Sequence, residues 1–156
     1  MTIEVVTIEH DETLALRRAV LRNGDPDANV VWDEDTWPGT MHLGARRDGI
    51  LVATSTWIPR PFPEAAGEAT TEVATDEHWQ LRGMATADGV RGSGVGGILV
   101  DAGCARCAER GGRLVWARAR DAALVFYARH GFEVVGDGFI DATTGLPHHL
   151  VRRAVG

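Results

Sequence analysis

A glycine-dense segment near the middle of the chain constrains its fold more than any other feature. It lies between an extended segment that ends near Thr86 and a run of small residues, about 95–110, that predicts a helix. The start of a helix presents unpaired backbone N–H groups and the positive end of its dipole, and glycines let an anion approach without a Cβ in the way. The segment therefore predicts a site for a diphosphate or a similar anion. Its residues are Arg91, Gly92, Ser93, Gly94, Val95, Gly96 and Gly97.

Three kinds of ligand would bring a diphosphate to such a loop. A nucleotide-binding P-loop needs a lysine after the glycines, and this chain contains no lysine. A dinucleotide fingerprint is present as Gly92-x-Gly94-x-x-Gly97, but it needs an acidic residue at the end of the next strand, where this chain has Arg118. Fewer than about 60 residues remain for the rest of such a domain, which is built from units of about 30 residues. The third ligand is the pyrophosphate arm of coenzyme A.

Two motifs in order give the chain a resemblance to a known family. The first is Arg91-Gly92-Ser93-Gly94-Val95-Gly96 at a helix start, and the second is Phe126-Tyr127-x-x-x-Gly131-Phe132. Their order and separation resemble the GNAT acyltransferase superfamily over residues 11–155. The chain is most similar to a bacterial subgroup with Leu-Arg-Gly-Met-Ala-Thr on the central strand, here residues 81–86, and with Pro147-His148 near the C-terminus.

The resemblance implies an N-acetyltransferase that moves an acetyl group from acetyl-CoA directly to a primary amine, with no metal. The main-chain amides of residues 91–97 would hold the pyrophosphate, and the strand edge at Met84, Ala85 and Thr86 would pair with the pantetheine arm. The N–H of Met84 or Ala85 would donate to the oxyanion. Tyr127 would lie at the coenzyme sulfur and protonate the leaving thiolate as general acid. Asp121 stands where many relatives carry an asparagine that contacts the coenzyme.

The group that takes the proton from the amine is left open by the sequence. His148 has the strongest case, because it begins the last predicted strand and an imidazole exchanges protons near neutral pH. His42 lies within a predicted strand and is interpreted as a packed core residue. The remaining candidates are Glu34, Glu72, Glu77 and His78.

The apolar periodicity predicts a single α/β domain over residues 1–156, with a mixed, mostly antiparallel sheet of about seven strands and helices on both faces. A loop with three acids at 33–35 is either a solvated segment or a rim that attracts an amine. Trp32, Trp37 and Trp57 are either core residues or the lining of an acceptor pocket. The predicted strands are 3–8, 41–46, 50–58, 72–86, 113–117, 132–140 and 148–154. The predicted helices are 12–22 capped by Asp11, 95–110, and 122–130 capped by Asp121.

Glycine positions add three local predictions. Asp48-Gly49 between two alternating apolar runs predicts a hairpin. Gly83 within a predicted strand indicates a bulge or a close backbone approach, and Gly131 is expected to end the last helix. The segment 62–67 is predicted as a surface loop.

The composition limits the classes of partner and the cellular location that can be expected. The net charge of −6 argues against nucleic acid held by bulk electrostatics and mildly favours a cationic acceptor, a small-molecule or peptide amine. No apolar run reaches the roughly 18 residues of a membrane span, and no signal peptide is recognised, so a cytoplasmic location is expected. Cys104 and Cys107 are expected to be packing residues in a reducing compartment. A homodimer is possible, and the rival function is an acyl-CoA-sensing module without turnover.

Overall fold

A computed structural model describes residues 2–63 and 77–156. Its seven strands form one sheet in the order β1-β2-β3-β4-β5-β7-β6. The pairs β1–β2, β2–β3, β5–β7 and β6–β7 are antiparallel, whereas β4 and β5 are parallel. The predicted mixed, seven-stranded α/β fold is confirmed. The strands are β1 (Ile3–Thr7), β2 (Met41–Arg47), β3 (Ile50–Pro59), β4 (His78–Thr86), β5 (Leu114–Arg120), β6 (Glu133–Ile140) and β7 (Pro147–Ala154).

The helical segments are shorter and less regular than the sequence predicts, except for the central one. Of the predicted strand 72–86, residues 72–76 lie outside the described part of the chain. The helices are α1 (Leu14–Leu16), α2 (Val95–Glu109) and α3 (Leu124–Arg129), with 3-10 turns at His10–Thr13, Asp33–Thr36, Asp88–Val90 and Asp121–Ala123 and a π-helical turn at Arg17–Leu21. None of the described helices has the length and apolar character needed to cross a membrane.

The chain divides into two compact units, of which the first comprises Met1–Ile58 and Leu81–Gly103. Its β2–β3 hairpin turns at Asp48 and Gly49, which have φ of 51° and 85°. Positive φ at both central residues is typical of the tight turn that an Asp-Gly pair favours, and the predicted hairpin is confirmed.

The helix predicted over 12–22 is present as a series of different helical turns, and its predicted cap at Asp11 is wrong. A 3-10 turn begins at His10, and the N–H of Glu9 before it donates to Glu12 Oε2 over 2.8 Å. The chain then passes through α1 into the π-helical turn, whose first residue, Arg17, is completely buried. A π-turn changes the direction of side chains relative to a regular helix, and such turns are frequent at functional sites.

The second unit comprises Pro59–Gln80 and Cys104–Gly156. Strand β5 ends three residues later than predicted, because Arg118, Ala119 and Arg120 continue its antiparallel register with β7. Its parallel register with β4 is short and covers only His78–Gln80 against Leu114–Trp116. Phe62, predicted in a surface loop, is buried and packs edge-on against Trp116.

Asp121 does not cap the last helix as predicted. It begins a 3-10 turn, no side-chain hydrogen bond caps either that turn or α3, and its carboxylate instead contacts His149. The helix ends before Gly131, whose φ of 82° is the left-handed conformation expected of a residue that stops a helix. Cys104 and Cys107 are buried free thiols of α2, as predicted for packing residues, and burial raises the pKa of Cys107.

Candidate active site

The glycine-rich loop of the first unit ends where α2 begins at Val95. Gly92 and Gly94 have φ of 82° and 88°, and a Cβ built on either would meet nothing within 4 Å. The loop is therefore an open turn, and its positive φ values are the reason that glycine is needed at these two positions. Ser93 is fixed by its N–H and its hydroxyl, which both donate to the Val90 carbonyl.

The loop and the first turn of α2 present a group of main-chain N–H donors. The first internal bond of the helix is donated by Ile98 to the Gly94 carbonyl. Among the described residues, no acceptor pairs with the loop N–H groups that precede Ile98, apart from those of Arg91 and Ser93. These donors, together with the positive end of a 15-residue helix, form an arrangement suited to an anion. They belong to Gly92, Gly94, Val95, Gly96 and Gly97.

Arg91 stands at the edge of this loop with an exposed guanidinium. Its Nη2 lies 3.3 Å from Asp88 Oδ1, and its Nε donates to the Thr86 carbonyl over 3.4 Å. Both partners are surface groups, so this pair contributes little to stability. The side chain is available to a ligand at the loop after a small rearrangement.

The strand segment before the loop contains a close approach at Gly83. This residue has φ of 67°, and a Cβ at this position would come within 2.7 Å of the Trp32 ring. The predicted close approach at Gly83 is confirmed, and Trp32 is the residue responsible. Met84, Ala85 and Thr86 follow directly, and Ala85 is buried whereas the two others are half-buried.

The acidic run at 33–35 is only partly solvated, because Asp33 is exposed, Glu34 is half-buried and Asp35 is buried. Asp35 is buried and forms a two-pronged ion pair with Arg17, at 2.8 and 2.7 Å. Glu34 accepts from Arg82 over 2.6 Å. Burial pushes the pKa of Asp35 upward, but the Arg17 guanidinium and the Trp32 N–H outweigh it and hold the pKa below its usual value. Two of the three acids are thus used inside the first unit.

His42 is a core residue, as predicted. Its Nε2 donates to the Asp35 carbonyl over 3.0 Å, and its Nδ1 lies 2.9 Å from the Thr56 hydroxyl. That hydroxyl also accepts from Arg17 over 2.8 Å. Burial lowers the pKa of His42. Because both ring nitrogens are engaged, this imidazole has no lone pair for catalysis.

Tyr127 lies on α3 in the second unit, with its ring against Phe126 and Phe132. Its side chain is almost enclosed, with 7% of the residue exposed. No described residue forms a hydrogen bond with its hydroxyl. Burial, with a smaller effect of Cys104, raises the pKa of Tyr127 to about 12.

His148 is buried at the start of β7, and its Nδ1 lies 2.9 Å from the Leu146 carbonyl. A carbonyl only accepts, so Nδ1 carries the proton and Nε2 holds the lone pair of the neutral ring. Nε2 has no partner among the described residues and is not one of the enclosed unpaired atoms. The ring packs against Phe139, over which the Arg118 guanidinium lies.

The other candidate bases are engaged or lie elsewhere. Glu34 is paired with Arg82, and His78 Nδ1 accepts the N–H of Phe62 over 3.0 Å. The main-chain carbonyl of Glu77 accepts from the N–H groups of Arg113 and Leu114, which leaves the role of its carboxylate open, and Glu72 lies outside the described residues. His148 is left as the candidate that the described hydrogen bonds favour.

Two arrangements were missed by sequence reasoning. The first is the buried network of Arg17, Asp35 and Thr56 with Trp32 beside it. The second is a contact of 2.6 Å between His149 Nδ1 and Asp121 Oδ1, both partly exposed.

The tryptophans do not form one group. Trp37 is exposed, whereas Trp57 is buried and donates to Ser55. Within residues 2–63 and 77–156, no cluster of three or more His, Cys, Asp and Glu side chains could hold a metal ion.

Comparison with known proteins gives the class of protein. The sequence profile of the acetyltransferase (GNAT) family matches residues 9–132. YitI of Bacillus subtilis (strain 168), described as an uncharacterized N-acetyltransferase, is 31% identical over 149 residues, which cover 96% of this chain and 93% of YitI. The chain therefore belongs to the GNAT family, and it is an N-acetyltransferase of that family. This membership excludes the dinucleotide interpretation of the glycine loop.

Solved structures agree on the fold. The crystal structure of Escherichia coli ElaA matches with a TM-score of 0.74 at 20% identity, covering 97% of this chain and 99% of ElaA. An aminoglycoside 6′-N-acetyltransferase, solved in complex with coenzyme A, matches with a TM-score of 0.73 at 15% identity, covering 97% of this chain and 96% of that enzyme. The fold is that of an acyl-CoA N-acyltransferase.

Proposed function

We propose that this protein transfers an acetyl group from acetyl-CoA directly to a primary amine of a small molecule or a peptide. The observation that carries the proposal is the set of unpaired main-chain N–H groups of Gly92 and residues 94–97, at the positive end of α2. A diphosphate accepts several such bonds at once, and its charge is stabilised by the helix dipole. The coenzyme A complex of the structurally similar aminoglycoside acetyltransferase supports the same ligand here.

The coenzyme is held, in this proposal, by three parts of the chain. Within the predicted segment 91–97, the unpaired amides of Gly92 and residues 94–97 bind the pyrophosphate, and the Arg91 guanidinium adds a charge contact. The strand edge at Met84, Ala85 and Thr86 pairs with the pantetheine arm, as a sheet edge accepts an added strand. Tyr127 contacts the coenzyme at its sulfur.

The reaction begins with a neutral amine, whose nitrogen attacks the thioester carbonyl. His148 accepts a proton from the amine through Nε2, the ring atom that is unpaired in the described structure. The N–H of Met84 or Ala85 donates to the oxyanion of the tetrahedral intermediate, a kind of interaction whose loss typically costs about 100- to 1,000-fold in rate. When the C–S bond breaks, the Tyr127 hydroxyl gives its proton to the thiolate, and the acetylated amine leaves.

Coenzyme A binding at the loop is tested by a matched pair of substitutions at Ser93. This residue is exposed and has a negative φ, so other side chains fit its backbone conformation. Ser93→Glu places a negative charge among the amides, and Ser93→Gln adds a side chain of similar size without charge. We expect Ser93→Glu to raise the Kd for coenzyme A about tenfold more than Ser93→Gln does, since a repulsion of about 1.4 kcal/mol gives that ratio. Equal affinities of the two variants would contradict binding at the loop.

Turnover is tested separately from binding. The release of free thiol from acetyl-CoA is followed with the wild-type protein across a panel of diamines, aminoglycosides, amino acids and peptides. We expect amine-dependent release with at least one of these classes. Tight coenzyme A binding without release for any amine would instead indicate the acyl-CoA-sensing module.

A further inference from the structure

Trp32 makes three contacts that together connect the 3-10 turn Asp33–Thr36 to strand β4. The guanidinium carbon of Arg17 lies 3.7 Å from the centroid of the indole, and that of Arg82 lies 3.9 Å from it. Two guanidinium groups at that height would overlap on one face, so they occupy opposite faces of the ring. The outer edge of the same ring faces Gly83. Arg17, Trp32 and Arg82 are called the Trp32 stack below.

Each cation of the stack is neutralised by an acid from the turn that follows Trp32. Arg17 is fully enclosed and paired with Asp35, whereas Arg82 pairs with Glu34, with side-chain exposures of 35% and 16%. Arg17 also donates to the Val30 carbonyl over 2.8 Å, on the other side of Trp32 in sequence. A cation over an indole face is a favourable interaction that strengthens as both groups are desolvated. Arg17 is thus held by Asp35 and Val30, and the Trp32 ring connects it to β4.

The stack contacts the part of β4 that is paired along one edge only. Strand β3 borders one edge of β4, whereas the register of β4 with β5 ends at Gln80, so the described main chain of residues 81–86 has no partner in β5. Gly83 lies in this part and has a φ of 67°, which in glycine is one of several accessible conformations. The Trp32 ring occupies the space beside Gly83 and limits the alternatives, while Arg82, the residue before Gly83, is held over the ring.

From this arrangement we infer that Trp32 is a positioning residue for the N–H groups of Met84 and Ala85. These groups follow Gly83 directly, so the φ and ψ of Gly83 set the direction in which they point. The inference rests on the proposed function, in which one of them donates to the oxyanion. An oxyanion donor is effective only when it is already aimed at the developing charge, and small displacements from that geometry are costly.

The test compares kcat with the KM for acetyl-CoA. Trp32→Leu removes both ring faces, and Trp32→Phe retains one smaller ring. Trp37→Leu is the matched control, because Trp37 follows the same turn but is 40% exposed. We expect kcat to fall about tenfold or more in Trp32→Leu and by less in Trp32→Phe. The KM for acetyl-CoA should stay within about twofold of the wild-type value, because the affected interaction is needed in the transition state. Trp37→Leu should retain the wild-type kcat.

A second readout does not depend on turnover. Hydrogen exchange of the Met84 and Ala85 amides should become at least about tenfold faster in Trp32→Leu than in Trp37→Leu, because local opening sets the exchange rate. If Trp32→Leu does not fold, Trp32→Phe carries both measurements. A kcat of the Trp32 variants within twofold of the control, or unchanged exchange of the two amides, overturns the inference. If the wild-type protein acetylates no amine, the proposed function fails, and the amide exchange alone decides whether Trp32 positions this segment.

Discussion

His148 donates a hydrogen bond from Nδ1 to the Leu146 carbonyl over 2.9 Å, two residues before it in the chain. This bond fixes the neutral tautomer and leaves Nε2 as the atom that can accept a proton. Pro147 begins β7, and His148 is the first buried residue of that strand. In the proposed function, Nε2 accepts the proton of the acceptor amine.

Substitution of His148 tests that role. His148→Gln should lower kcat by about 100-fold, in the range of general-base catalysis, and leave the Kd for coenzyme A unchanged. His149→Gln is the control, since adjacent residues of a strand point to opposite faces. A kcat for His148→Gln close to that of wild type would remove His148 from the mechanism. A large loss in His149→Gln alone would move the role to the pair that His149 forms with Asp121.

Tyr127 is the single tyrosine of the chain, so its titration is observed without interference. Because burial raises its pKa to about 12, the folded protein should show no tyrosinate absorbance up to pH 11. Because the pKa is raised in the folded state, the contribution of Tyr127 to the unfolding free energy is complete below the unfolded pKa of about 10. That contribution is lost as the pH rises toward 12. Tyrosinate that appears near pH 10 while the protein is still folded would show that Tyr127 is not buried.

The acid role of Tyr127 is tested by removal of its hydroxyl. Tyr127→Phe keeps the packing of the ring against Phe126 and Phe132 and should therefore preserve the fold. We expect kcat to fall about 100-fold with acetyl-CoA. The loss should shrink with acyl donors whose leaving thiol is more acidic, because these need less help from a proton donor. Equal losses for all donors would indicate that Tyr127 binds the coenzyme and does not protonate it.

Replacing one partner of the Arg17–Asp35 ion pair should lower the unfolding free energy more than breaking an exposed ion pair of the first unit does. Asp35→Asn leaves the enclosed Arg17 charge without its carboxylate, and breaking a buried pair in this way costs about 3–5 kcal/mol. Denaturant unfolding measures this loss as a lower midpoint at an unchanged slope. Glu12→Gln is the control, because its pair with Arg46 is half-exposed at 3.8 Å and should contribute less than about 1 kcal/mol. Similar midpoints for the two variants would contradict the burial of the Arg17 pair.

The lowered pKa of His42 predicts that the unfolding free energy decreases in mild acid. Its folded pKa is lowered by burial, so the unfolded chain binds a proton at a higher pH than the folded protein does. Its contribution to stability is therefore complete above the unfolded pKa of about 6.5 and is lost as the pH falls from there toward the folded pKa. His42→Gln should flatten the fall of the unfolding free energy between about pH 6.5 and 5. The same slope in both proteins would show that His42 does not cause it.

The sequence predicted the parts of the molecule that depend on local conformation. The Asp48-Gly49 turn, the left-handed Gly131 and the close approach at Gly83 each follow from what glycine and its neighbours allow. Contacts between residues far apart in the chain could not be predicted from the sequence. Arg17 was placed in a helix by periodicity, but its position depends on Asp35, 18 residues later. Asp121 has the chemistry of a helix cap, yet it pairs with His149, and β5 is longer because β7 continues beside it.

The central claim is acetyl transfer from acetyl-CoA to an amine at a site built on the glycine loop. The measurement that tests it most directly is mass spectrometry of the acceptor amine after incubation with acetyl-CoA and either the wild-type protein or Ser93→Glu. We predict an acetylated amine with the wild-type protein and, at acetyl-CoA concentrations below the KM, a yield lower by about tenfold with Ser93→Glu. An unmodified amine in every incubation, or equal yields from the two proteins, would contradict the claim.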